Sequence, residues 1–582
     1  MSECLDPSVA VIVDSSRSEF LLTSTTVFPA LRHWGMPHQV VDLATKPVLS
    51  DVLARHGVIL VAQEYLDDSL NKVRLADILR RVADNGAGLV NLDHALMTYP
   101  RDYLEVLGLV GRLSEVSVDE LFIPDVPHPI LSGRPPGATA RLKQPLPGLR
   151  SANPSLDQSE GLSLLLGGKE ERLLGSYNLG SGRVVQWFVS PKLWNPSYLG
   201  LAHGLDGLLW RSIVWVGPKP FCMNAMPPFV RFRFDDCHGY WQEPGDLGFV
   251  SELRKRGHTP SICFCLRALT SDGAAHLADL QQRGGVDLAP HTYAPDTSLF
   301  YGDAGGEYSS ARFRDLFAEL DEAQRRWGVR WSSILSDHEH EWSEKAIPYL
   351  RQRGIQYKMN ITLPGERWNG KHVDWRPGPF GSMDFAMDHL PGELRDFFVV
   401  FNHHPSFESA RAYLGHDTFL YHRPGGFGDQ KWDFLNGLVE KSDTGRADLW
   451  AIADRLAAHT RLGLDSLFFG GSISHSHFTR RLALSDWRDL LDLTDRKLRL
   501  TETIPASYDH IARYAEARSA TTAAAANVRD DRVLFRLEGR SSQELRLSVF
   551  RETDGGLLRT EQPVEPFEKS CEVAVPRNGE GR

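Results

Sequence analysis

The chain has 582 residues, and at about 150 residues per domain that length calls for three to four domains with substantial cores. Hydrophobic residues make up 42% of it, which excludes a disordered, collagen-like or coiled-coil chain. Asp and Glu number 75 against 65 Lys and Arg, a formal net charge of −10. That field repels phosphate backbones and anionic lipid, so neither nucleic acid nor membrane is an expected partner.

The six cysteines (Cys4, Cys222, Cys237, Cys263, Cys265, Cys571) are scattered and contain no C-x-x-C pair. They suggest neither a disulfide framework nor a thiolate zinc cluster, and a reducing compartment is the simpler expectation. The opening stretch MSECLDPSVAVIVDSS carries acidic residues where a signal peptide needs basic ones. No run of about 18 apolar residues appears, so the expectation is a cytoplasmic protein.

Along the first 217 residues, short apolar runs alternate with helical patterns, as a parallel sheet with crossover helices requires. Val9 to Val13, Val58 to Val61, Leu89 to Leu92 and Arg183 to Val189 read as strands. Leu75, Ile78, Leu79 and Val82 recur at helical spacing up to Asn85-Gly86, residues that stop a helix. Leu201 to Val216 reads as a closing helix, after which Gly217-Pro218-Lys219-Pro220 breaks the pattern. In strand order and closing helix this segment resembles the flavodoxin-like fold of class I glutamine-amidotransferase and ThuA-like domains. An amidotransferase needs a nucleophilic Cys after a strand; here the strand runs into Leu92-Asp93-His94-Ala95, and the only Cys of the segment is Cys4. A catalytically silent, doubly wound domain is therefore expected over 1–217.

A second alternating series spans 221–500, and polar, titratable residues gather at the ends of its strands. Phe229 to Phe234 ends in Asp235-Asp236, and Thr259 to Leu266 forms the next strand. Val286 to Ala289 leads to His291, Trp331 to Leu335 to Asp337-His338-Glu339-His340, Phe397 to Phe401 to Asn402-His403-His404, and Leu467 to Gly471 to Ile473-Ser474-His475-Ser476-His477. The C-terminal ends of strands are where (β/α) barrels build active sites. The tail then changes character: Asp486 to Leu498 and Ser507 to Arg518 read as helices, then an Ala/Thr-rich link, Thr521 to Ala526, precedes strands at Val533 to Leu537 and Leu545 to Phe550, and 501–582 is expected to form a helical linker plus a β-sandwich-like tail. The expected fold is α/β: a flavodoxin-like domain, a distorted (β/α) barrel and a small β-rich tail.

The string RFDDCHG, Arg233 to Gly239, resembles the first motif of the polysaccharide-deacetylase superfamily, and DLAPHTYAP, Asp287 to Pro295, resembles its second. The resemblance implies Asp235 as general base, with Asp236 and His291 as ligands of a divalent metal, zinc by donor type. Pro295 stands where a second ligand histidine is expected, so another residue has to complete the set. His340 is favoured over His338 for that place, and the His403-His404 run is a third option. Ile473-Ser474-His475 resembles the last motif of the family and implies His475 as the catalytic imidazole, with His477 second. Trp241 and Trp375 offer flat faces for a sugar ring, and His338, His403 and His477 are further candidates for the substrate pocket. Taken alone, an Asp pair at a strand end is also a turn or helix-cap pair, and a strand-end His is also a hydrogen-bonded core residue.

What this implies is a metal-dependent hydrolase that removes an N-acetyl group from an amino sugar or a sugar-containing metabolite. A metal-independent glycoside hydrolase pairing Asp235 with Glu339 or Glu341, and a non-catalytic carbohydrate-binding scaffold, are the competing readings.

Overall fold

The computed structural model describes the chain outside residues 1–4, 46–52, 54, 68–74, 102–103, 105–112, 133, 135, 152–161, 169–170, 196, 201–204, 238–247, 295–296, 303–305, 336–342, 361–366, 369–370, 373–387, 390–397, 402–445, 476–483, 554–555 and 578–582. Among the described residues no helix is long and apolar enough to cross a membrane. The fold is mixed α/β, with parallel-stranded sheets followed by a β-rich C-terminal region.

Nine strands build the first sheet: β1 (Asp6–Val13), β2 (His38–Asp42), β3 (His56–Val61), β4 (Gly88–Asn91), β5 (Leu113–Phe122), β6 (Thr139–Ser151), β7 (Leu162–Gly167), β8 (Arg172–Leu179) and β9 (Gly182–Trp187). Their order is β2-β1-β3-β4-β9-β8-β7-β5-β6. The first five are parallel, as the alternation of apolar runs and helices predicts. The rest form an antiparallel extension that sequence periodicity does not reveal. Val9, Val11 and Val13 of β1 enter one core and Ala10 and Ile12 another, so both faces are covered. Burial on both faces is why β1 reads as an unbroken apolar run instead of an alternating one. The closing helix is described from Asp206 to Val216.

After the short β10 (Phe221–Met223), a second parallel sheet contains β11 (Phe229–Cys237), β12 (Ser261–Cys265) and β13 (Asp287–Thr292). The next strands are β14 (Ile334–Leu335), β15 (Tyr357–Asn360), the small pair β16 (Arg367–Trp368) and β17 (Lys371–His372), β18 (Asp388–His389), β19 (Phe398–Phe401) and β20 (Gly470–His475). Two sheets result, β13-β12-β11-β20 and β14-β15-β19-β18. They meet where the Ser332 backbone N–H donates to the Leu288 carbonyl at 2.7 Å. Among the described residues no ladder joins β19 to β20, so the expected barrel is seen as two adjacent arcs.

β11 explains the period-two pattern of its sequence. Val230, Phe232 and Phe234 pack with Phe249, Leu253 and Trp487 of the covering helices. The alternate positions, Arg231, Arg233 and Asp235, are charged and still no more than 2% exposed. The inner face of this sheet therefore holds a buried line of charge.

The tail contains β21 (Ile504–Pro505), which pairs with the start of β11, and a helix, Tyr508–Ser519. It continues with β22 (Thr521–Arg529), β23 (Arg532–Ser541), β24 (Leu545–Thr553), β25 (Gly556–Val564) and β26 (Phe567–Pro576). The Ala/Thr-rich stretch expected as a link is instead strand β22, paired along its length with β23. Its small residues Ala523 and Ala526 pack into the core, so tertiary pairing overrides a weak intrinsic preference. The sheets are β22-β23-β26 and β10-β24-β25, and the latter takes its first strand from the segment before β11. One hydrophobic core joins the first sheet to this tail: Val9, Leu31 and Trp34 belong to the same cluster as Phe535, Leu547 and Val575.

Candidate active site

The strands of the sheet β13-β12-β11-β20 all run the same way, so their C-terminal ends share one edge. Asp235 of β11 is the register partner of His475 of β20. The strand carrying His475 starts later than the sequence suggests, at Gly470 instead of Leu467, which puts His475 at its last position. Gly471 makes the pairing possible. Its φ is 111°, and a Cβ there would overlap the Arg231 carbonyl oxygen, so only glycine lets β20 lie against β11.

Two β-bulges shape the same edge. Between β11 and β12 the register jumps from Phe234 opposite Ile262 to Cys237 opposite Phe264, so Asp235 and Asp236 together oppose Cys263. Between β12 and β13 it jumps from Phe264 opposite Pro290 to Cys265 opposite Thr292, which makes His291 the extra residue. A bulge re-aims the residues within it and recurs beside active sites. Both bulges fall on residues that the motifs single out.

Asp235 is fully buried, and its carboxylate is held in a fork by Arg233. The Arg233 Nε donates to Oδ1 at 2.5 Å and an Nη to Oδ2 at 2.7 Å, and both side chains are 0% exposed. Arg231, one turn of the pleat earlier, lies over the rings of Tyr508 at 4.8 Å and Phe469 at 5.2 Å. Burial lowers its pKa to about 10, which still leaves it cationic at neutral pH. His291 is 2% exposed, and the Thr292 hydroxyl next to it donates to the Ala294 carbonyl at 2.8 Å, closing the loop that leaves the edge. The pairing of Arg233 with Asp235 is the contact at this edge that motif reading misses. Its signal was present as an arginine two residues before the aspartate, on the same strand face.

Asp236 is described through its backbone position in the first bulge, and His475 through its register. His338, His340, Trp241, Trp375, His403 and His477 lie outside the described residues, as do Pro295, Glu339 and Glu341. Strands about 4.8 Å apart place β11 and β13 about 10 Å from each other, a gap that an aspartate and a histidine reaching to one cation would span. One oxygen and one nitrogen donor suit a borderline cation such as zinc. Among the described residues no group of three His, Cys, Asp or Glu side chains gathers to hold one.

No protein-family model matches the chain, and no curated protein matches its sequence. Among solved structures, a cytoplasmic protein from Salmonella typhimurium LT2 aligns at 13% identity over 36% of this chain and 99% of its own, with a TM-score of 0.24. The deacetylase domain of BpsB from Bordetella bronchiseptica aligns at 16% identity over 27% and 71%, with a TM-score of 0.19. A family 4 carbohydrate esterase from Streptomyces lividans, in complex with acetate, aligns at 8% identity over 48% and 93%, with a TM-score of 0.23. Likenesses this distant do not carry a functional assignment, which has to rest on the residues themselves.

Proposed function

We propose that the chain is a hydrolase that releases acetate from an N-acetyl group on an amino sugar or a sugar-containing metabolite. The observation that supports this most is the single strand edge on which Asp235 is the register partner of His475 and two bulges fall at Asp235-Asp236 and at His291. Asp235 takes a proton from the attacking water as its oxygen bonds to the carbonyl carbon. His475 gives a proton to the nitrogen as the C–N bond breaks, and the products are acetate and the free amine. Arg233 supplies the counter-charge of Asp235 and fixes the plane of its carboxylate, so the base is oriented before substrate arrives. Asp236, His291 and a third donor such as His340 would hold a divalent cation, zinc by donor type. When bound, that ion polarises the amide carbonyl and activates the water.

The test is acetate release from N-acetylglucosamine and its short oligomers by wild type and Asp235→Asn, each before and after chelation and zinc addition. The expected result is activity that falls about 100-fold or more in Asp235→Asn and that returns to chelated wild type with zinc. Equal rates in the two proteins would remove the assigned base. Activity on aryl glycosides that is indifferent to chelation would favour the two-carboxylate glycosidase.

A further inference from the structure

The first sheet carries its own buried polar centre at the C-terminal ends of β1, β3, β4 and β9, and the chemistry proposed above makes no use of it. β1 lies between β2 and β3, so the loops after β1 and β3 leave in opposite directions and open a crevice, the place where doubly wound sheets take ligands. Side chains tie the two loops together. The Asp14 backbone N–H donates to Gln63 Oε1 at 3.1 Å, and Arg17 donates to the Tyr65 carbonyl.

Tyr65, at the exit of β3, has a φ of 60°, a conformation that favours glycine and costs a tyrosine free energy. Asp93 enforces it. Its buried carboxylate accepts hydrogen bonds from the backbone N–H groups of Tyr65 (3.0 Å), Leu66 (2.9 Å) and Ala95 (3.0 Å), and from the Tyr99 hydroxyl (2.7 Å). Four donors are spent holding a strained residue whose ring is not packed away, since Tyr65 is 41% exposed. Strain kept in this way, at the exit of a strand bordering a ligand crevice, marks a displayed side chain.

Beside it stands an imidazole backed by a carboxylate. Glu64, 1% exposed, accepts from the Ser190 hydroxyl at 2.8 Å and pairs through the same oxygen with His94 Nδ1 at 3.0 Å. Lys192 Nζ lies 3.8 Å from its other oxygen and is 43% exposed. With Nδ1 facing Glu64, the Nε2 of His94 meets no protein partner among the described residues. The ring centroids of His94 and Tyr65 are 6.0 Å apart at 76°, so the two form adjoining walls of one corner.

The charge around that corner selects its ligand. Burial first, and then the carboxylates of Glu64, Asp93, Glu115 and Glu19, raise the Tyr65 phenol pKa, so its hydroxyl remains a donor. The same carboxylates repel an anion. What suits an aromatic face, an imidazole and an ammonium group in such a field is a neutral molecule with one apolar face and a rim of hydroxyls. We infer that Tyr65, His94 and Lys192 form a second carbohydrate site, one that binds a neutral pyranose at the β1/β3 switch point of the first sheet. This inference stands apart from the hydrolytic reading, because none of its residues lies on the strand edge of Asp235.

Saturation-transfer NMR on the full chain, with glucose and galactose, which carry no N-acetyl group, as probes and tetramethylammonium as a cationic control, tests the inference. Tyr65→Gly is the informative variant: it removes the ring and relieves the positive φ, so it folds with a Tm no lower than wild type. His94→Gln removes the imidazole at similar size. The expected result is saturable transfer to at least one sugar, weakened about tenfold or more in both variants and kept in Asp235→Asn. No transfer to either sugar would overturn the site. So would a signal that survives Tyr65→Gly, or a preference for tetramethylammonium.

Discussion

Replacing Arg233 with Met leaves the Asp235 carboxylate buried without the guanidinium that forks it. Both side chains are 0% exposed and share contacts of 2.5 and 2.7 Å, so the guanidinium's charge is not replaced by bulk solvent when it is removed. Removing one partner of such a pair costs about 3–5 kcal/mol, a large part of the roughly 5–15 kcal/mol that holds a domain folded. Replacing both partners with apolar residues, as in Arg233→Met with Asp235→Leu, removes the stranded charge and recovers most of that loss. Hydrogen exchange read by mass spectrometry on peptides covering 229–237 measures local opening without assuming two-state unfolding of the whole chain. The expected result is exchange faster in Arg233→Met by a factor of about 150 or more, with the double variant closer to wild type than the single one. If the single variant exchanges within about threefold of wild type, or the double variant is the worse of the two, the buried pair is not what organises this edge.

Other perturbations probe the junctions around this strand. Asp206 is buried against Asp465 and Arg134, with the Ser466 hydroxyl 3.2 Å from it, and burial first, then Asp465, raises its pKa from 3.8 to about 7. A carboxyl with a raised folded pKa contributes stability that is fully present below about pH 4 and is lost as pH rises to about 7, at up to about 1.4 kcal/mol per pH unit. Thermal unfolding scanned across that range should therefore fall with rising pH more steeply for wild type than for Asp206→Asn, and superimposable profiles would contradict the assignment. Gly471→Ala forces a Cβ against the Arg231 carbonyl, so acetate release and the exchange protection of 229–237 should both fall. Unchanged values would mean that β20 can move away without consequence for the site.

Sequence patterning was legible where one physical requirement dominated. VAVIV read as a strand, which the structure buries on both faces, and the alternation in Phe229 to Phe234 correctly marked β11. The bulges at Asp235-Asp236 and His291 were not legible, because a register shift is a property of hydrogen bonding between strands and leaves no mark in either strand alone. Thr521 to Ala526 misled for a related reason: Ala and Thr read as a spacer until pairing with β23 and burial of Ala523 and Ala526 are known. The antiparallel extension β5 to β8 was missed although β6 is 13 residues long, because Pro145, Pro147 and Gly148 inside it interrupt a strand pattern. Asp93-His94 was weighed only as a site lacking a cysteine, which concealed that the aspartate shapes the Tyr65 turn and the histidine meets Glu64. The proposed ligand His340 and the aromatic residues of the pocket fall outside the described residues, so their placement stays with the motif reading.

The shared core of the first sheet and the tail has an architectural consequence. The Asp6 carboxylate accepts from the Val528 backbone N–H at 2.6 Å, Arg183 pairs with Glu552 at 2.6 Å, and β10 completes a sheet whose other strands come more than three hundred residues later. The first sheet and the β-rich tail thus make up one host body, and the segment from β11 to β20 is a guest inserted between them in sequence. Amputating the last sixty residues would expose the interior of the host while leaving the guest's primary structure intact. The apolar face that the first sheet turns toward the tail is thus covered by strands made several hundred residues later.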